Sequence, residues 1–177
     1  MLDLQLLVSI PAGQGSDACS ARLTTLFLFA MDAVIHQSVQ LRTSVAEAFA
    51  LFIEPTQLTS WLTAKANVEP TVGGRYELFW QPETPEDNST IGCHITALVP
   101  NQLLAFEWRS PKPFKHFAND ADPLTHVVVS FVPGDGKTTV HLVHSGWRST
   151  DEWAEAMHWQ TRAWEGALAK LSARVHA

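Results

Sequence analysis

Cationic side chains are scarce in this sequence: 12 Lys and Arg stand against 18 Asp and Glu in 177 residues, a formal charge of −6 with histidine neutral. They form no cluster or stripe, which argues against nucleic acid and anionic membrane surfaces as partners. Cysteine is nearly absent. Cys19 and Cys93 lie far apart and make neither a CxxC pair nor a disulfide framework, so they read as free thiols of a cytoplasmic, reducing setting. The two apolar runs near the start, 2–10 and 23–30, are each too short to span a bilayer. The signatures GxSxG, HExxH, the P-loop and GxGxxG are all missing, which removes the commonest hydrolase, metalloprotease and nucleotide-binding chemistries. No cofactor is expected. What the chain does have is aromatic bulk, with 7 Trp and 9 Phe.

Residues 1–30 read as an N-terminal extension outside the core, with Met31 as a natural start for the domain at 31–177. The alternative is a secretory signal with 23–30 as its apolar region, weakened by the lack of a basic segment before it.

The end of the chain organises the rest. Trp153, Met157, Trp164, Leu168, Leu171 and Val175 keep helical spacing over residues 149–175, with Ala156, Ala163 and Ala167 in the same stripe. Ser149 and Glu152 have capping-box spacing and predict where that helix begins. The opposite face carries Glu155, Arg162, Glu165, Lys170 and Arg174. So broad an apolar stripe needs a sheet to cover it. Strand alternation appears at 34–42, 75–80, 91–99, 103–109, 125–132 and 138–146, with turns at Gly73-Gly74, Pro100-Asn101 and Gly134–Gly136. Between the first two strands, Ser44 and Glu47 form another capping box before a helix that Pro55 ends, and 56–62 reads as a second short helix. The expected fold is α+β: about six antiparallel strands curved around one long C-terminal helix.

Trp61, the Gly73-Gly74 pair before an aromatic strand, PNQLLAFEW at 100–108, GKTTVHLVHSGW at 136–147 and WEGALAKL at 164–171 together resemble the SRPBCC superfamily. More narrowly, they are similar to the domain named for the activator of Hsp90 ATPase homologue 1. The resemblance spans roughly 31–177 and implies the helix-grip fold of the START and Bet v 1 group, with a cavity that in such proteins takes hydrophobic ligands. Some relatives are cyclases or aromatase-like proteins.

The residues expected to line such a cavity are Trp61, Tyr76, Leu78, Trp80, Phe106, Trp108, Phe117, Val140, Leu142, His144, Trp147, Trp153, Met157, Gln160 and Trp164. Residues 110–123 hold three prolines and no period, and read as a lid with Phe117 as its plug. His144 shares the phase of Val140 and Leu142 and is the candidate acid or base; the plainer account is a core histidine satisfied by the backbone or by Gln160. His94, His126 and His141 fall on the polar phase of their strands without a carboxylate or cysteine at ligand spacing, so no metal site is expected.

Three functions follow in order. The first is binding of a small hydrophobic or aromatic molecule. The second is a cyclase-like or hydrolase-like enzyme using the same cavity. The third is a protein-partner role such as an Hsp90 cofactor, which a chain this short favours least. The sequence allows a homodimer without requiring one.

Overall fold

The computed structural model describes residues 33–176; the readings made above for 1–30, including the extension and Cys19, lie outside the described residues. The elements follow in the order β1 (Ile35–Leu41), α1 (Val45–Ile53), α2 (Pro55–Leu58), β2 (Lys65–Val68), β3 (Tyr76–Phe79), β4 (Ile95–Val99), β5 (Leu103–Trp108), α3 (Lys115–Ala118), β6 (Thr125–Gly134), β7 (Lys137–Ser145) and α4 (Asp151–His176).

Local chemistry explains most boundaries. Ser44 Oγ accepts the Glu47 N–H at 3.3 Å while the Glu47 carboxylate accepts the Ser44 N–H at 3.0 Å, closing the capping box that starts α1. Pro55 then opens α2, where its missing N–H costs nothing. At the long helix the cap sits one residue beyond the expected Ser149. Thr150 Oγ1 accepts the Trp153 N–H at 3.4 Å, and Asp151 and Glu152 fill the first turn, where the helix dipole favours negative charge.

Five strands form one antiparallel sheet in the order β1-β7-β6-β5-β4, and β2 and β3 make a separate two-stranded ribbon. The ribbon includes a strand the sequence does not signal, because Lys65–Val68 is only four residues long, with Lys65 exposed and the other three half-buried. It is joined to β4 through the backbone: Tyr76 N–H donates to the Cys93 carbonyl and Ile95 N–H to the Gly74 carbonyl, both at 2.8 Å.

A bulge changes one phase. Ile95 faces Phe106 and Ala97 faces Ala105, so Thr96 is the extra residue. Beyond it Leu98 packs against the core, while Val99 is exposed although it shares the sequence parity of Ile95. The strand proper starts at Ile95 rather than at Ile91, since Ile91 and Gly92 occupy a turn.

Helix α4 lies in the concavity, burying Trp153, Ala156, Gln160, Trp164, Leu168 and Leu171. Gln37 Nε2 on β1 donates to the Thr161 carbonyl at 2.9 Å and ties the edge strand to the helix. Behind it the interior is closely filled. Tyr76 stacks on Phe106 with centroids 4.0 Å apart, and its hydroxyl donates to the Phe52 carbonyl at 2.6 Å. Burial raises the Tyr76 phenol well above its ordinary pKa.

Candidate functional site

The curved sheet and α4 part company at one end. Trp108 is the last residue of β5, Trp80 follows β3, Trp61 follows α2, and α4 contributes Trp159 and Trp164. These five of the chain's 7 tryptophans line a single cleft of about 330 Å³. Small residues of α4, Ala163, Gly166 and Ala167, form its helical wall, and Leu62 and Pro111 complete the apolar part. The polar lining is Asn88, Arg109, Gln160, Arg162 and Lys170.

The rings are held in defined poses. Trp61 Nε1 donates to the Leu51 carbonyl at 2.9 Å, while Trp108 packs edge to face on Trp80 at 5.7 Å and lies 4.9 Å from Trp164. Trp159 is 37% exposed, the most accessible ring of the five, and leans on Phe114 at 5.9 Å. Polar groups here lack partners. Trp108 Nε1 and Arg109 Nε are buried without a hydrogen bond. An unpaired buried donor costs on the order of 1–3 kcal/mol, and both of these belong to residues that line the cleft.

Among the residues expected to line a cavity, Trp61, Trp80, Trp108, Gln160 and Trp164 meet at the cleft. Tyr76, Leu78, Phe106, Val140, Leu142, Trp147 and Trp153 are instead buried in the core, and Phe117 and Met157 pack partly buried against it. The space therefore lies beside the helix rather than beneath it. Periodicity identifies inward-facing residues but not where the packing stops. Arg109, Trp159, Arg162, Gly166 and Lys170 went unrecognised as lining, although Arg162, Gly166 and Lys170 repeat at i, i+4 and i+8 on one helix face.

His144 does not border the cleft. It is fully buried among Trp108, Trp147 and Trp164, with ring centroids 4.6 Å from Trp147 and 5.8 Å from Trp108. Trp164 Nε1 donates to His144 Nδ1 at 3.2 Å, which puts the imidazole proton on Nε2, and that N–H has no partner. The satisfying group is thus an indole rather than the backbone or Gln160. Burial, aided by His126, lowers the His144 pKa to about 3, so the ring is neutral at pH 7.

The segment 110–123 is more ordered than its prolines suggest. Asn119 Oδ1 accepts the Ser110 N–H at 2.7 Å and its amide donates to the Ser110 carbonyl at 2.9 Å, clasping the segment around α3. Lys112 pairs with Asp87 at 2.9 Å, and Phe117 packs on Trp153 at 5.2 Å. Pro111 is the residue through which the segment borders the cleft.

The outward histidines each have their own neighbour: His94 meets Glu107 at 3.2 Å, His126 meets Thr96 at 2.6 Å and His141 meets His36 at 3.3 Å. Among the described residues, no group of three His, Cys, Asp or Glu is arranged to hold a metal ion, and no helix is long and apolar enough to cross a membrane. Burial pushes the Cys93 thiol up to about 12, leaving it a poor nucleophile.

An antiparallel sheet wrapped on a long C-terminal helix, open at one end beside that helix, defines a helix-grip protein. Within that class, the chain belongs to the family described as activator of Hsp90 ATPase homolog 1-like protein, whose sequence model matches residues 42–176. Solved structures agree on the fold. Protein MLL2253 from Mesorhizobium loti superposes with a TM-score of 0.63 at 18% identity, covering 79% of this chain and 94% of that one. PFC0360w, an HSP90 activator from Plasmodium falciparum, gives 0.60 at 15%, covering 81% and 96%. The Aha1 dimer from Colwellia psychrerythraea gives 0.54 at 16%, covering 79% and 96%. A comparison with curated proteins found no match.

Proposed function

We propose that this protein binds a small hydrophobic or aromatic molecule in the cleft between α4 and the ends of β3 and β5. One observation carries the reading: Trp61, Trp80, Trp108, Trp159 and Trp164 converge on one opening from four separate parts of the chain. Trp61, Trp108 and Trp164 are buried while Trp159 is left accessible at the mouth, and the cleft between them stays open. Its volume of about 330 Å³ suits a ligand of one or two rings, at the small end of ligand pockets. Gln160 and Asn88 supply hydrogen bonds that would orient such a molecule.

His144 supports binding rather than turnover. Its accepting nitrogen is engaged by Trp164, it lies outside the cleft, and its low pKa makes it a weak base. Native mass spectrometry of the full chain purified gently from its host, set against its denatured mass, tests the reading. A bound molecule lost in Trp159→Ala is the expected result; the same molecule retained at equal occupancy in that variant places it elsewhere and sinks the assignment.

A second reading, a cofactor of Hsp90, draws on the family and on the HSP90 activator among the structural neighbours. It predicts a saturable change in Hsp90 ATPase rate on addition of this protein. A rate that stays flat at high concentration removes it.

A further inference from the structure

The charge on the cleft rim is not something its apolar lining requires. We infer that the ligand is an aromatic or apolar organic anion, a carboxylate or sulfonate on a ring-bearing body, with its charged end over Gly166 between Arg162 and Lys170. This rests on the ligand-binding reading above and names the chemistry of its ligand.

Although the chain carries a formal charge of −6, the cleft is lined by Arg109, Arg162 and Lys170 and by no Asp or Glu. Arg162 and Lys170 stand on one face of α4, about 12 Å apart along its axis at 1.5 Å per residue. Gly166 lies midway, and a Cβ built there meets nothing within 4 Å. The two long arms can therefore swing over a common site that no side chain occupies. Neither makes a hydrogen bond or ion pair with any described residue, whereas Arg75 pairs with Glu69, Lys112 with Asp87, and Arg174 donates to Gln57. On the opposite wall Arg109 buries an unpaired Nε beside the Cys93 thiol, with Glu86 lining only the hollow beyond it.

The tryptophans and the cations divide the work. Indole faces carry negative electrostatic potential, so an anionic group avoids them and settles at the rim, while the apolar body takes the rings. A cationic ligand, which an aromatic cage would otherwise suit, is repelled by three positive side chains with no lining carboxylate to offset them.

The test compares two probes of the same ring system on the full chain: 1-anilinonaphthalene-8-sulfonate and the uncharged N-phenyl-1-naphthylamine, titrated by fluorescence at low and high salt. The sulfonate should bind more tightly, and salt should weaken it alone. Arg162→Gln and Lys170→Gln, both at exposed positions, should each weaken the sulfonate roughly three- to tenfold and leave the amine unchanged. Gly166→Leu should weaken both by filling the cleft. If the amine binds as tightly as the sulfonate, or the charge variants leave the sulfonate unaffected, the anion inference fails while ligand binding stands. If neither probe binds, or Gly166→Leu changes nothing, the ligand-binding reading falls and takes the inference with it.

Discussion

His144 should make the protein acid-sensitive in a window set by one ring. In the unfolded chain its pKa is near 6.5; in the fold, burial chiefly and His126 secondarily lower it to about 3. Geometry reinforces this, since a proton on Nδ1 would face the Trp164 indole N–H, donor against donor, at 3.2 Å. Between those two pKa values the unfolded chain binds the extra proton. Stability from this ring is therefore fully present above pH 6.5 and is lost as pH falls towards 3. At roughly 1.4 kcal/mol per unit, the loss on going from neutral pH to pH 4.5 is on the order of 2–3 kcal/mol, a large share of a typical domain's stability. Urea unfolding of the wild type and His144→Gln at neutral pH and at pH 4.5 measures it. Glu47 and Glu69, whose carboxylates are held below their ordinary pKa by hydrogen bonds from Thr43 and Arg75 respectively, lose stability in the same direction but equally in both proteins. The variant should thus lose about 2–3 kcal/mol less than the wild type between the two pH values, whatever its absolute stability. Equal slopes would refute the reasoning, as would a wild-type imidazole whose ¹⁵N shifts show it charged at pH 5.

Gly166→Ala should raise the stability of α4 by about 0.5–1 kcal/mol, because a helix-interior glycine is replaced where its Cβ meets nothing; a rise of about 1–4 °C in Tm by calorimetry checks this. Ser44→Ala removes one half of the α1 capping box and should cost about 1 kcal/mol in urea unfolding. Gly146→Ala should cost about 1–3 kcal/mol, since the residue sits at φ +87° and a Cβ would lie 3.2 Å from Thr125 Cα; an unchanged midpoint would show that the loop relaxes freely.

Much of the fold was legible because strong local signals agreed with one another. The Ser44–Glu47 box, the alternation of Ile35, Val39 and Leu41, and the stripe from Trp153 to Leu171 each reported a boundary or a face that the structure keeps. The misses have particular causes. Lys65–Val68 is a strand by virtue of its pairing with Tyr76–Phe79, a non-local fact invisible in four residues. The Thr96 bulge reverses a phase that alternation assumes constant. The site was half legible: inward tryptophans could be named, but whether Trp164 borders a cleft while Trp153 borders Phe117 depends on where sheet and helix diverge. Arg162 and Lys170 lie on the wet helix face that periodicity predicts, and the same exposure places them on the rim.

The costs this fold accepts are not spread evenly. A glycine sits in the middle of its longest helix, at roughly 1 kcal/mol relative to alanine, and it borders the cleft. The indole N–H of Trp108 and the Nε of Arg109 are buried without partners on adjacent residues of the same wall. Trp159 keeps a large apolar ring in contact with water beside them. Each departure is correctable by a single conservative change, so a chain under pressure only to fold has no reason to gather them at one opening. Sequences ordinarily break local rules where function requires it. An occupant that packs in the space above Gly166 and covers Trp159 turns the bare helix wall and the exposed ring into buried contact area. Ligand binding should therefore stabilise the wild type more than Gly166→Leu, even though the empty forms rank in the opposite order. That reversal, read as a thermal shift on adding 1-anilinonaphthalene-8-sulfonate to each, separates a cleft kept for an occupant from one left by imperfect packing. Equal shifts in the two proteins would favour imperfect packing.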